Sequence, residues 1–189
     1  QASGGDITLW ADSNNDDSGN IFLQGGADLV SGGGNITLGG GTDPAVDSAV
    51  GAIGVSADGA SIDAGSGAVS INGRSSRIGT GNGRGVQIAS ASSVNGGTIS
   101  LTGVGASANG ADGNHGVAIQ GSTISSTTAG GLTIDGTGGG TGASRNNEGV
   151  SVTSASTVSS GAGSLTLVGE RGPGPASEDI AVAGGLNTL

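Results

Sequence analysis

The stretch Val86–Leu101 reads VQIASASSVNGGTISL, and its apolar residues fall into a pattern that decides the fold. Val86 and Ile88 are two residues apart, Val94 stands alone, and Ile99 and Leu101 are again two apart. A spacing of i, i+2 puts both side chains of a pair on one face of an extended strand. The intervening Ser, Asn and Gly are turn formers.

The pattern recurs along the whole chain. The first pair is read as Ile21/Leu23, Ile53/Val55, Val86/Ile88, Val117/Ile119, Val150/Val152 and Ile180/Val182. The single middle anchors are Leu29, Ile62, Val94, Ile124, Val158 and Leu186. The third pair is Ile7/Leu9, Ile36/Leu38, Val69/Ile71, Ile99/Leu101, Leu132/Ile134 and Leu165/Leu167. Three registers share a period of about 31 residues, the mark of a repeat architecture. Gly occurs 44 times in 189 residues, which opposes helix, and no stretch sustains a 3.6-residue period.

These observations predict an all-β chain: a single parallel β-solenoid domain over residues 1–189, of about six turns with three short strands each. Stacked turns set each strand beside its copy in a parallel ladder at about 4.8 Å per turn. Val, Ile and Leu then form columns along the axis. Each buried aliphatic side chain contributes about 1.5–3 kcal/mol. The residues from the third pair to the next first pair exceed what is needed to close a small triangular section. They are expected to form Gly-rich loops aligned on one side, with a short fourth strand as the structural alternative. All five Arg (Arg74, Arg77, Arg84, Arg145 and Arg171) lie in these stretches, as do Asp12, Asp16, Asp17, Asp43, Asp47, Asp112, Glu148 and Glu170.

Units such as Gly149-Val150-Ser151-Val152 followed by Gly163-Ser164-Leu165-Thr166-Leu167, and Gly34-Asn35-Ile36-Thr37-Leu38, resemble the repeats of filamentous-haemagglutinin-type bacterial surface proteins. The resemblance covers the whole chain and implies a secreted, right-handed β-helix serving as an adhesin or surface fibre. It also implies an extracellular, cell-surface location in a bacterium and contact with a host or neighbouring-cell surface. The period here is longer than that family's common short coil.

The net charge of −10 argues against nucleic acid, whose phosphates call for clustered Lys and Arg, and against docking on anionic lipid. No apolar run reaches membrane-spanning length, so membrane insertion is not expected. Without Cys there is no disulfide framework or thiolate metal site.

A polysaccharide-active β-helix enzyme is the competing class, but the chain reads as a non-enzyme with no catalytic residues. Paired carboxylates and aromatic platforms are what sugar cleavage uses, and Trp10 and Phe22 are the only aromatics. Asp16/Asp17 and Glu178/Asp179 are adjacent, and neighbours on a strand point oppositely. His115, the one His, lies in the turn-like Ala111-Asp112-Gly113-Asn114-His115-Gly116 and reads as an exposed loop residue.

No cofactor is expected, with calcium as the one candidate ion, in a carbohydrate- or calcium-binding alternative. Asp12, Asn14 and Asp16 alternate as oxygen ligands do in a calcium loop. Asp17 stands where such a loop needs Gly and no Glu closes it, so a polar turn explains the same residues. Ice binding would need a regular outward Thr column. Thr8, Thr37, Thr133 and Thr166 supply one, broken by Ser70 and Ser100.

The ends carry a final expectation. Ile7/Leu9 open the chain as an isolated third pair, while Ile180/Val182 and Leu186 close it without one. A second copy directly after Leu189 would place Ile21 30 residues beyond Ile180, Leu29 32 beyond Leu186 and Leu9 31 beyond Leu167. The expected partner is therefore the chain itself, as a head-to-tail homopolymer or a covalent tandem continuation, growing into a filament.

Overall fold

The computed structural model describes residues 4–78, 81–108, 110–127 and 129–183. They contain 18 strands in three parallel sheets. Sheet A holds β1 (Ile7–Trp10), β4 (Ile36–Gly39), β5 (Ala49–Gly51), β8 (Ala68–Ser75), β11 (Thr98–Val104), β14 (Leu132–Thr137) and β17 (Leu165–Glu170). Sheet B holds β2 (Ile21–Gln24), β6 (Val55–Asp58), β9 (Val86–Ala89), β12 (Val117–Gln120), β15 (Val150–Thr153) and β18 (Ile180–Val182). Sheet C holds β3 (Asp28–Val30), β7 (Ser61–Asp63), β10 (Ser93–Gly96), β13 (Thr123–Ser126) and β16 (Thr157–Ser159). Apart from β5, each strand pairs with the equivalent strand one turn away, so the chain is a parallel β-solenoid of about 32 residues per turn.

The third pair and the middle anchor stack as read from the sequence. Ile7, Ile36, Val69, Ile99, Leu132 and Leu165 are successive Cα partners, and so are Leu29, Ile62, Val94, Ile124 and Val158. These side chains, with the sheet B residues facing them, form one continuous core, fully buried at Ile62, Ile71, Ile88, Leu101, Ile119 and Ile134.

Two expectations need correction. In the second turn the first pair is Val55/Ala57, not Ile53/Val55: Ile21 pairs with Val55 and Leu23 with Ala57. Ile53 is half-buried and precedes the strand. The period-2 rule fits both choices, and the small Ala57 concealed the right one. The turn count also differs. The described residues make five complete turns flanked by single strands, β1 before and β18 after, and Leu186 lies outside them.

The long connections do not simply bulge. Sheet A strands run on past their apolar pair, β8 as far as Ser75 and β11 as far as Val104, so part of each connection is ordered ladder. A fourth strand forms beside one of them: β5 pairs with the end of β8, and Val50 makes an antiparallel bridge to Gly19.

Candidate functional site

The corner between sheets A and B is built from backbone. Gly73, Gly103, Gly136 and Gly169 are successive partners in sheet A. The returning chain crosses them at Gly85, Gly116, Gly149 and Asp179. A Cβ on any of the four sheet A glycines would sit far inside van der Waals contact of the carbonyl oxygen it faces. The crossing glycines are equally constrained, with the amides of Val104, Thr137 and Glu170 against Gly85, Gly116 and Gly149. Two columns of glycine therefore let main chain pass main chain where a side chain would collide, with Asp179 the one non-glycine among these crossings.

Behind this crossing, the connections form a polar wall. Gly83, Asn114, Asn147 and Ser177 occupy equivalent positions one turn apart. The Asn114 Oδ1 accepts the Gly83 amide at 3.0 Å, Asn147 Oδ1 accepts the Asn114 amide at 3.2 Å, and Ser177 Oγ accepts the Asn147 amide at 3.2 Å. Asn114 Nδ2 also donates to Asn147 Oδ1 at 3.0 Å, and Asn147 Nδ2 donates to Ser144 Oγ and Pro173 O, both at 2.9 Å. Asn114, Ser144 and Asn147 are fully buried, so each amide side chain replaces the ladder partner that its neighbour would lack.

The next column is Ile53, Arg84, His115, Glu148 and Glu178, each one residue before the crossing residue. His115 is not an exposed loop residue: it is 7% exposed, and Glu148 is 6% exposed. His115 Nδ1 lies 2.6 Å from Glu148 Oε2. The pair is within ionic distance but is not aligned as a hydrogen bond, and neither atom has another hydrogen-bond partner among the described residues. Arg84, one turn before, donates to Gln87 Oε1 at 2.8 Å and Gln120 Oε1 at 3.1 Å. Burial lowers its pKa. Turn-like composition gave no hint of this burial, which follows from the next turn's connection lying over His115.

The candidate metal ligands form a turn. Asp12 has φ +53° and is buried. Its Oδ1 accepts the Asp16 amide at 2.9 Å, and its carbonyl accepts the Asn15 amide at 2.9 Å. Asn14 Nδ2 donates to Asp16 Oδ2 at 2.7 Å, while Asp17 pairs with Arg74. Asp12, Asn14 and Asp16 thus close on one another, and no group of three or more acidic or His side chains with metal-holding geometry occurs among the described residues. Glu178 and Asp179 are both exposed, and Asp179 Oδ1 accepts the Arg171 amide at 3.1 Å. The structure does not bring these carboxylates together with Asp16 and Asp17, and no cavity is found among the described residues.

The outer face of sheet A carries the hydroxyl column in full. Thr8, Thr37, Ser70, Ser100, Thr133 and Thr166 are successive partners. Trp10, two residues from Thr8 on the same face, is 51% exposed, yet its Nε1 donates to Gly41 O at 2.8 Å. Phe22 is 49% exposed on sheet B. At the outer strands the inner columns open to solvent. Ile7 and Leu9 are half-buried, Ile180 is 38% exposed and Val182 is 45% exposed.

Comparison with known proteins found no matching family model, no matching curated protein and no matching solved structure.

Proposed function

We propose that this chain is a length of structural shaft outside the cell, a bacterial surface fibre or adhesin stem rather than an enzyme, with turns continuing head to tail along its axis. The observation that carries this reading is the sameness of the interior at each junction. The same inner columns join every adjacent pair of turns, and they reach β18 with Ile180 and Val182 still open to solvent. An open parallel edge with exposed apolar anchors is a template for another turn. The continuation is either covalent or a second copy, and the filamentous-haemagglutinin likeness of the repeats supports the same role. Imaging of native material tests it. Filaments with a subunit repeat near 29 Å are expected: five complete turns plus a sixth completed between the end strands β18 and β1 of successive copies, at about 4.8 Å each. A compact, monodisperse particle at all concentrations would refute the shaft.

A second reading, a carbohydrate-binding face, draws on Trp10. An exposed indole pinned through its N–H beside a hydroxyl column offers a rigid apolar surface flanked by groups that both donate and accept. Pull-down on neutral polysaccharide, with Trp10→Ala as comparison, separates this reading from a passive shaft.

A further inference from the structure

The corner between sheets B and C is not the same in every turn. Three residues join β2 to β3 (25–27), two join β6 to β7 (59–60), three join β9 to β10 (90–92), two join β12 to β13 (121–122), and three join β15 to β16 (154–156). Long and short corners strictly alternate through the five turns. The two kinds differ in backbone. Each long corner holds two consecutive left-handed residues: Gly25 and Gly26, Ser90 and Ala91, Ser154 and Ala155. Each short corner has a single left-handed Gly, Gly59 or Gly121. Ser90, Ala91, Ser154 and Ala155 adopt φ of 57–61° without being glycine. That conformation is costly for an L residue and persists where the surroundings require it.

The two kinds also make different, complementary bonds. In a long corner, Ser92 Oγ donates to Ala89 O at 2.6 Å and accepts the Ala60 amide of the short corner before it at 3.1 Å. Ser156 Oγ repeats this, donating to Thr153 O at 2.6 Å and accepting the Ser122 amide at 3.3 Å. The bulge fits the recess as well. Gly26 N donates to Gly59 O at 2.8 Å and Ala91 N to Gly121 O at 3.0 Å. The sequence carries the same alternation. Ser90-Ala91-Ser92-Ser93-Val94 matches Ser154-Ala155-Ser156-Thr157-Val158, two turns on. Asp58-Gly59-Ala60-Ser61-Ile62 matches Gln120-Gly121-Ser122-Thr123-Ile124, also two turns on.

We infer that the stacking unit of this solenoid is a pair of turns, one long-cornered and one short-cornered, and that like corners do not stack. The inner columns cannot enforce this, because Val and Ile recur in every turn and any turn would bury them. The corner supplies the register that the core lacks. A turn that docks on the β15–β16 corner or on the β2–β3 corner, both long, must therefore carry the two-residue kind. That requirement selects among turns of a second copy independently of whether the chain forms a shaft.

Excision of whole turns tests the inference, because it leaves each strand an equivalent partner. Removing Val86–Gly116 sets short corner 59–60 on short corner 121–122. Removing Val86–Gly149 sets the same short corner on long corner 154–156. The larger excision is expected to keep a cooperative transition. The smaller is expected to melt at least 10 °C below it, or to lose amide protection at least tenfold at the two apposed corners. Equal melting temperatures, a more stable one-turn excision, or failure of the two-turn excision to fold would overturn the inference.

Discussion

The interior columns and the polar wall of this molecule solve the same problem, joining one turn to the next, by opposite means. Inside, Val, Ile and Leu repeat with little regard to identity: Val69, Ile99 and Leu132 follow one another in one column. Along the wall, the partners are particular. Asn114 needs Asn147, Asn147 needs Ser177, and His115 lies against Glu148. Burial is non-directional, so the core gives cohesion without telling one turn from another. Hydrogen bonds are directional and costly to leave unmade, so the wall gives position. A solenoid with only the first would hold together in many registers.

The contrast breaks most sharply if the core is the weaker partner in energy. Ile119 is fully buried, and Ile119→Asp is expected to cost about 4 kcal/mol or more, through the lost apolar contacts and a buried charge. Thr102→Asp, outward on sheet A, should cost about 1 kcal/mol or less. Comparable melting temperatures for the two would contradict the inward assignment. The glycine crossing extends this comparison to backbone. Gly136→Ala drives a methyl into Gly149 O and should cost about 2–3 kcal/mol. Gly25→Ala meets nothing within 4 Å and strains only its φ, for about 1 kcal/mol.

Effects smaller than that of Ile119→Asp are expected in the wall, and they should be local. Asn147→Ala removes the side-chain acceptor of the Asn114 amide and the donor to the Pro173 carbonyl, a loss of about 2–3 kcal/mol. Hydrogen exchange should place that loss at residues 110–116 and 171–177, with β12 and β15 still protected. Uniform loss of protection would show that wall and core are a single cooperative element.

The His115–Glu148 pair sharpens the comparison further. Glu148→Ala leaves a buried imidazole without its partner, an expected cost of about 1–3 kcal/mol. Replacing both by Leu should recover most of it, since an apolar pair of similar volume serves cohesion as well as a buried polar one. A double variant no better than the single one would mean the pair stabilises the wall in its own right.

How far the sequence reveals this structure follows the same division. The interior is legible because period-2 apolar pairs at one spacing admit a single geometry, and two of the three registers match throughout the described residues, Leu186 lying outside them. The third slipped at Ile53 and Val55, where Ala57 is too small to stand out as a core residue. With Val55 as the anchor, first and middle anchors lie eight, seven, eight, seven and eight residues apart, which is the alternation of the corners. The wall was illegible for a different reason. Asn, Ser and Gly in a connection read as a turn whether solvated or buried, and only the next turn's position decides. The glycine columns were present at fixed offsets, Gly85, Gly116 and Gly149 each directly before a sheet B strand. Among 44 glycines, that regularity does not declare itself.

The smallest expected effect tests whether the wall's outer loops share in its specificity. Asp47 lies in the connection 40–48, beside sheet A. Its carboxylate accepts the Asp43 amide at 3.0 Å, and the Thr42 hydroxyl and amide, each at 2.9 Å. These bonds, led by the Asp43 amide, favour the ionised form and hold its pKa below the usual carboxylate value. A depressed folded pKa contributes stability that is present above the unfolded value, about 3.9, and is lost as pH falls through the folded one. The Thr42 and Asp43 amides should therefore exchange faster as pH drops below about 4, after correction for intrinsic rates. Core amides such as those of Ile71 and Leu101 should not follow over the same range. In Asp47→Asn the acid-induced change at Thr42 and Asp43 should vanish, because the side chain no longer titrates. If the change persists in that variant, the loop responds to the acidity of the whole chain, and its hydrogen bonds add nothing of their own to the wall.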